Sequence, residues 1–291
     1  MTWQIAITLQ VLVSSIMTLF TRRVTLSVKN VFFGVGVLSY FMVALMGFVY
    51  SLVYNHGLPV APSLTTWAYI LLEGFCIPLA WLILYKMISL IGAGNAVIVS
   101  SLNTTAAALM GVFFLHESLS ITFALGAVFI LVSALTSLRL SPDLRHHPKA
   151  TFGKKVLLAS SGAVLFALGM FAEKMAITNM GAFNYSAFGW GMQFVGVCVV
   201  FALFGRKELP HLSRSVIHKG LLLGFITSIA GGLYIYALSI GNLSHTIVAT
   251  SGKVAITVFL AALFLNERNA LKTRIAALLL SIAGLWLVTH G

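Results

Sequence analysis

The sequence has few charged residues for its length, and very few of them are acidic. Only 8% of its 291 residues are charged and only six are Asp or Glu, whereas about a quarter of a soluble protein is charged. Apolar residues make up 59% of the chain, and its mean hydropathy is +1.02. So few charges cannot cover a water-exposed globular surface. The composition excludes a soluble enzyme, a nucleic-acid-binding domain and a disordered chain, and it indicates a protein solvated by lipid.

Cysteine is also scarce, and the signatures of cofactor chemistry are missing. Both cysteines, Cys76 and Cys198, lie inside apolar runs, which is typical of small buried side chains rather than of a disulfide framework. The histidines show no metal-ligand spacing, and Gly34 and Gly36 lack the third glycine of a dinucleotide fingerprint. HExxH and GxSxG motifs are missing too. We expect no metal, no cofactor and no enzymatic activity.

Long apolar runs fill the chain instead. A helix that crosses the hydrocarbon core needs about 20 residues, and ten runs of about that length are present. They do not alternate with a period of two, which excludes a barrel. The sequence predicts an all-α integral membrane protein with ten transmembrane helices. The predicted spans are about 3–20, 31–53, 66–85, 93–115, 119–138, 156–178, 183–204, 220–239, 243–265 and 271–289.

The basic residues predict the orientation of these spans. Of the 18 lysines and arginines, all except Lys174 and Lys253 lie in, or within a turn of, the connections after spans one, three, five, seven and nine. Cytoplasmic loops of membrane proteins carry such an excess of positive charge. We therefore expect a multi-pass protein of the cytoplasmic (inner) membrane with both termini outside. The net charge of +12 therefore comes from these loops and does not indicate a nucleic-acid partner.

An internal repeat divides the chain into two similar halves. The segment from Leu109 to Glu117 closes the fourth span, and a similar segment from Phe259 to Glu267 closes the ninth. The predicted organisation is a first five-helix repeat at residues 1–140, a basic cytoplasmic linker at 141–155 and a second repeat at 156–291. Because five is an odd number, two tandem units have opposite orientations in the membrane. Inverted repeats are typical of secondary transporters, whose substrate site lies near midplane.

The ten spans in two halves, with "FFLHE" and "LFLNE" just before the fifth and tenth spans, resemble the EamA-like family of the drug/metabolite transporter superfamily. The resemblance covers nearly the whole chain. It implies a permease that moves small metabolites by alternating access. Two features depart from the family pattern. Thr104 and Val254 stand where members often carry proline, and many relatives are drawn with both termini in the cytoplasm.

Lys253 is the first candidate for substrate binding. It lies ten residues into the ninth span, near midplane, where a charged group is costly and marks a functional site by default. Its counterpart in the first repeat is Asn103 in the fourth span. Two readings stay open: Lys253 neutralises a carboxylate or phosphate of the substrate, or it forms a structural salt bridge. The segment Ser251–Lys253 also resembles the ninth-span lysine of nucleotide-sugar and sugar-phosphate carriers, in which that lysine faces an anionic substrate.

Two acidic residues within spans are candidates for proton coupling or for an internal ion pair. Glu73 lies in the third span and Glu173 near the end of the sixth, and the predicted topology places both in the outer third of the membrane. Carboxylates in a medium of low dielectric constant exchange protons more readily near neutral pH, so either one could take up and release a proton during transport. The other reading for each is an ordinary ion pair.

Three neutral residues complete the predicted substrate site. Gln193 is central in the seventh span, and Trp190 precedes it by three residues on the same helix face. Gln10 lies at mid-depth in the first span, near Ser14. A polar and an aromatic group side by side are suited to holding a small molecule, although such residues also serve helix packing.

These observations favour a secondary active transporter that moves an amino acid, an organic anion or a phosphorylated metabolite across the cytoplasmic membrane by alternating access. The alternatives are an exporter of cationic or aromatic drug-like compounds, recognised by Trp190 and the two glutamates, and a lipid flippase. The expected partners are a small-molecule substrate and the lipid bilayer, with proton or exchange coupling and no nucleic acid. The chain is expected to be a monomer or a homodimer.

Overall fold

The computed structural model describes residues 1–27, 36–117, 120–139, 152–204, 213–253, 256–257, 260 and 271–290. Within these ranges the chain forms nine α-helices. They are α1 (Trp3–Ser27), α2 (Leu38–Asn55), α3 (Leu64–Leu115), α4 (Ile121–Arg139), α5 (Phe152–Met180), α6 (Ala182–Phe204), α7 (Arg214–Ile240), α8 (Leu243–Ser251) and α9 (Leu271–His290).

Six of the described helical segments are long and apolar enough to cross a membrane. They are Trp3–Thr21, Leu38–Asn55, Leu64–Trp81, Ser161–Met180, Ala182–Leu203 and Arg214–Ile240. Large apolar side chains lie exposed on these segments. Their exposure costs no free energy in a lipid environment, so this pattern is expected of a protein solvated by lipid. The prediction of an all-helical membrane protein is confirmed.

Several predicted connections coincide with helix ends. The chain turns at His116 after α3, at Gly181 between α5 and α6, and at Gly241 between α7 and α8. Gly181 has a φ of +82°, a left-handed conformation that glycine adopts without steric cost. It is the single residue that separates α5 from α6.

One connection differs from the prediction. The predicted break between spans three and four, at residues 86–92, lies inside α3, which runs without interruption from Leu64 to Leu115. This stretch contains no proline that would remove a backbone donor, and its Lys, Met, Ile and Leu residues are compatible with a helix. The prediction of a loop at residues 86–92 relied on the interrupted run of apolar residues, and it is wrong because the backbone stays helical there.

The helices form two compact units. The first unit comprises Met1–Pro78 and Gly169–Gly241, and the second comprises Leu79–Leu168 and Asn242–Gly291. Each unit therefore combines segments from both halves of the sequence, and α3 and α5 each contribute to both units.

In the first unit, α2 packs against α6 and α7, and α1 packs against α7. Ring pairs join α2 to α6: Phe41 to Phe194, and Tyr54 to Phe183, whose ring centroids are 4.2 Å apart. Asn184 Oδ1 accepts a hydrogen bond from Asn55 Nδ2 at 2.6 Å near the ends of these helices. Stacking and a side-chain hydrogen bond thus fix α6 alongside α2.

In the second unit, α4 packs along α9, and the short α8 contacts both. Gly126 of α4 and Gly284 of α9 face each other, because a Cβ on either would lie 2.7 Å from the other's carbonyl oxygen. Small residues at a crossing let two helix backbones approach closely in a membrane. This contact holds α4 and α9 together within the second unit.

Candidate functional site

A buried polar cluster lies between α3, α5 and α6 in the first unit. The Tyr185 hydroxyl of α6 forms hydrogen bonds with Glu73 Oε1 of α3 and, at 3.1 Å, with Glu173 Oε1 of α5. Gln193 Nε2 donates to the same Glu73 oxygen. Glu73 and Tyr185 are fully buried, and Glu173 is 4% exposed. The structure thus brings together both predicted coupling carboxyls and one predicted substrate ligand.

Glycine contacts set the positions of these side chains. A Cβ on Gly196 of α6 would overlap the carbonyl oxygen of Gly74, and a Cβ on Gly169 of α5 would lie 2.7 Å from the Ile77 side chain. Helices α5 and α6 therefore both approach α3 closely within the turn that follows Glu73. Because each helix is held next to α3, side chains far apart in sequence meet within hydrogen-bond distance.

Tyr185 is the member of the cluster that sequence reasoning missed. It lies eight residues before Gln193 on α6, with Gly189 midway between them. Residues spaced by four lie on one side of a helix, so the spacing Tyr185, Gly189, Gln193 was the available signal. The ring of Tyr185 lies over Gly189, where a Cβ would overlap it.

Trp190 is buried, and it lies in a packing position. A Cβ on Gly47 of α2 would approach its ring to 2.7 Å, and a Cβ on Gly231 of α7 would approach it to 3.0 Å. The Tyr50 ring meets it edge-on, with ring centroids 6.0 Å apart. Trp190 therefore fills the space where α2, α6 and α7 meet, one turn from Gln193. Its role in substrate binding stays a prediction.

Gln10 is buried on α1, also in the first unit, and its Nε2 donates to Ser14 Oγ at 2.9 Å. Among the described residues, its Oε1 has no hydrogen-bond partner. The predicted proximity of Gln10 to Ser14 is confirmed as a contact one turn apart on the same helix.

The other two predicted ligands lie in the second unit. Lys253 is half-buried just after α8. Next to it, Ser251 Oγ donates to Thr104 Oγ1 at 3.1 Å, and Ser281 Oγ donates to the Gly252 carbonyl at 3.2 Å. The backbone of Asn103 belongs to α3, and its side chain lies outside the described part. The proposed pairing of Lys253 with Asn103 around one cavity stays a prediction.

Lys174 follows Glu173 on α5 and caps another helix. Its Nζ donates to the carbonyls of Leu238 at 2.6 Å and Gly241 at 2.7 Å. Cations at a helix C-terminus satisfy carbonyls that lack intrahelical partners and interact favourably with the helix dipole. The lysine therefore anchors the end of α7, also within the first unit.

The hydroxyl of Tyr185 lies within hydrogen-bond distance of two carboxyl groups. A tyrosine hydroxyl carries one proton, so it donates to one carboxyl at a time. Its second contact with a carboxyl is a hydrogen bond only if that carboxyl supplies the proton. Two ionised carboxylates this close together in a buried site would also repel each other strongly. The described donors to the two acids are a neutral hydroxyl and a neutral amide. Such an arrangement is suited to binding and releasing protons.

The comparisons agree with this architecture. The model of the EamA-like transporter family matches residues 1–139 and again residues 153–290. A crystal structure described only as that of a protein is similar in fold, with a TM-score of 0.81 and 16% sequence identity over 99% of this chain and 95% of the other. No curated protein matches the sequence.

The helices, the double match and the shared fold define a multi-pass membrane transporter of the drug/metabolite superfamily. The chain belongs to the EamA-like transporter family, with one copy of the family's domain in each half. This is a transporter family rather than an enzyme family, as the sequence predicted.

Proposed function

We propose that the chain is a proton-coupled secondary active transporter that moves a small metabolite across the cytoplasmic membrane by alternating access. One observation carries the proposal: Glu73 and Glu173, on different helices, contact one buried hydroxyl, that of Tyr185. Ionisable groups inside the membrane are costly and are kept for function, proton relays among them. The cluster supplies the coupling step, because its charge changes when a proton leaves.

The length of one connection supports a gradient or exchange as the energy source. Between α4 and α5 the chain has only residues 140–151, far fewer than the 50 or so residues of a small domain. This connection cannot contain an ATP-hydrolysing domain. Movement is therefore driven by a gradient or by exchange, and the duplicated family domain supports alternating access between inverted repeats.

The substrate we propose is one of three kinds: an amino acid, an organic anion or a phosphorylated metabolite. Lys253 in the second unit supports a negatively charged group, since a half-buried lysine within a predicted span attracts anions and repels cationic compounds. The neutral and acidic side chains of the first unit support a positively charged group. Cationic drugs and lipids are the alternative substrates, and the transport experiment below distinguishes them from small metabolites.

Transport into everted membrane vesicles tests this function. A panel of amino acids, organic acids and sugar phosphates is added to vesicles with an imposed pH gradient, and proton movement is followed with a pH-sensitive dye. We expect at least one compound to move protons in the wild type. We expect Glu73→Gln to abolish this signal. Glu208→Gln, in the sequence connection after span seven, is the matched control and should behave like the wild type.

Two results would contradict the proposal. Substrate flux that is independent of the pH gradient would show that the carboxyl cluster does not couple transport. Movement of fluorescent lipid analogues in proteoliposomes, without flux of any soluble compound, would favour the flippase instead.

A further inference from the structure

The two oxygens of Glu73 have different surroundings. Oε1 accepts from both Tyr185 and Gln193. Oε2 is also buried, and no residue in the described part of the chain forms a hydrogen bond with it. A buried carboxylate oxygen without a partner costs free energy. Oε2 is therefore a position for a group that the described part of the chain does not supply.

The charge of the cluster indicates what that group is. Within the described residues, the hydrogen bonds to Glu73 and Glu173 come from neutral donors, a hydroxyl and an amide. With Glu173 protonated and donating to Tyr185, Glu73 is left as a buried anion, which requires a positive partner. A proton on Oε2 neutralises it, and so does a cation beside it.

The described titratable groups on the neighbouring helices do not alter the charge of the cluster. Cys76, one turn after Glu73 on α3, and Tyr234 of α7 are both within electrostatic range of Glu73, and both are neutral in their ordinary protonated state. Lys174 on α5 donates its ammonium protons to the carbonyls at the end of α7. Among the described residues, the charge balance at Oε2 is thus left to a proton or a ligand.

We propose that Oε2 of Glu73 is an exchange position, occupied in turn by a proton and by the protonated amine of the substrate. The inference rests on the proposed function and narrows its substrate class to compounds with an ammonium group, such as amines and amino acids. When the ammonium binds, the proton on Oε2 leaves for water, while the proton of Glu173 stays on the hydrogen bond to Tyr185. The site is neutral in both states, so exchange is one for one.

Binding to the detergent-purified full chain tests this exchange without any gradient. The probes are methylammonium and phenethylammonium chlorides, amino-acid methyl esters, and two compounds similar in size to phenethylammonium, neutral phenethyl alcohol and anionic phenylacetate. Titration calorimetry in two buffers of different ionisation enthalpy measures both affinity and proton release. We expect an ammonium probe to bind with release of about one proton, and neither the alcohol nor phenylacetate to compete with it.

Variants locate the exchanging proton. Glu73→Gln should weaken amine binding by about 30-fold or more and remove proton release, because a buried charge loses its partner. Glu173→Gln replaces a protonated carboxyl by an amide that also donates to Tyr185, so release of about one proton should persist, with altered affinity. Glu208→Gln should match the wild type. Thermal unfolding verifies that each variant is folded, and Glu73→Ser, which also lacks an ionisable carboxyl, replaces Glu73→Gln if that variant is not.

Several outcomes would overturn the inference. Binding of the alcohol or phenylacetate at Glu73, amine binding that survives Glu73→Gln, or loss of proton release in Glu173→Gln but not in Glu73→Gln would each contradict it. Proton release by sodium chloride alone would assign the position to an inorganic cation. If no amine binds while vesicle transport remains sensitive to Glu73→Gln, the amine is wrong and the proton coupling stands.

Discussion

Glu117 Oε2 accepts two hydrogen bonds from Ser244, one from its backbone N–H at 2.8 Å and one from its hydroxyl at 2.6 Å. The other oxygen, Oε1, accepts the N–H of Leu243 at 2.6 Å. The glutamate of the "FFLHE" motif thus caps the first turn of α8, within the second unit. The contact ties the end of the fourth predicted span to the start of the ninth.

Replacing Glu117 by alanine should destabilise the second unit. The change removes an anion and three acceptor contacts from the N-terminus of α8, and caps of this kind contribute about 1–2 kcal/mol. We expect a lower thermal unfolding midpoint in detergent and a smaller loss for Glu117→Gln, which keeps one acceptor oxygen. Glu208→Gln serves as the control. Equal stability of wild type and Glu117→Ala would contradict the cap.

Tyr185→Phe should disrupt the carboxyl cluster while keeping the aromatic ring. Without the hydroxyl, Glu173 loses its described partner and Glu73 keeps only Gln193, at a cost of about 1–3 kcal/mol for an unsatisfied buried group. We expect lower stability and loss of proton movement in the vesicle assay. Tyr236→Phe is a matched control, because its hydroxyl bonds to the Met1 carbonyl on an exposed surface. Unchanged proton coupling in Tyr185→Phe would exclude a role for the bridge.

A pair of glycine variants tests the packing that holds Trp190. Gly47→Ala would place a methyl group against the Trp190 ring and the Ser186 carbonyl, and α2 would have to move away from α6. Overpacking of this kind costs about 1–3 kcal/mol. In Gly191→Ala, on α6 itself, the new methyl group has no heavy atom within 4 Å among the described surroundings, so stability should not fall. Equal effects of both changes on thermal unfolding would contradict the close approach.

Lys253→Ala tests whether the lysine serves substrate or structure. A ligand at 100 times its dissociation constant stabilises a protein by about 2.7 kcal/mol. Thermal stabilisation by an anionic or zwitterionic metabolite that disappears in Lys253→Ala, with the variant still folded, would place Lys253 in the substrate site. Persistence of the stabilisation in the variant would assign the lysine to packing.

The membrane orientation is a separate prediction. The excess of lysine and arginine after the odd-numbered spans predicts both termini outside. A phosphatase fused after Gly291 should be active in the periplasm, and a fluorescent protein fused at the same position should be dark. The reverse pattern would place the termini in the cytoplasm, as in many relatives.

The sequence by itself determined the class of protein. Hydropathy and span length are local properties, since each apolar run requires a lipid environment whatever its neighbours are, and the repeat from Leu109 to Glu117 and from Phe259 to Glu267 is visible by comparison alone. The family, the helical fold and the candidate carboxyls Glu73 and Glu173 were therefore predictable. The continuous helix α3 was not, because Lys86 and Gly92 interrupt the polarity pattern without interrupting the backbone.

Tertiary structure decided which polar residues meet. Glu73 and Glu173 are 100 positions apart, and only the close approach of α5 and α6 to α3 at glycines brings both to the hydroxyl of Tyr185. From sequence alone, a tyrosine in an apolar helix is interpreted as a packing residue, because its hydrogen-bond partners are not visible. Helix periodicity fixes the face on which a side chain lies, whereas the partner of that face depends on packing between helices distant in sequence.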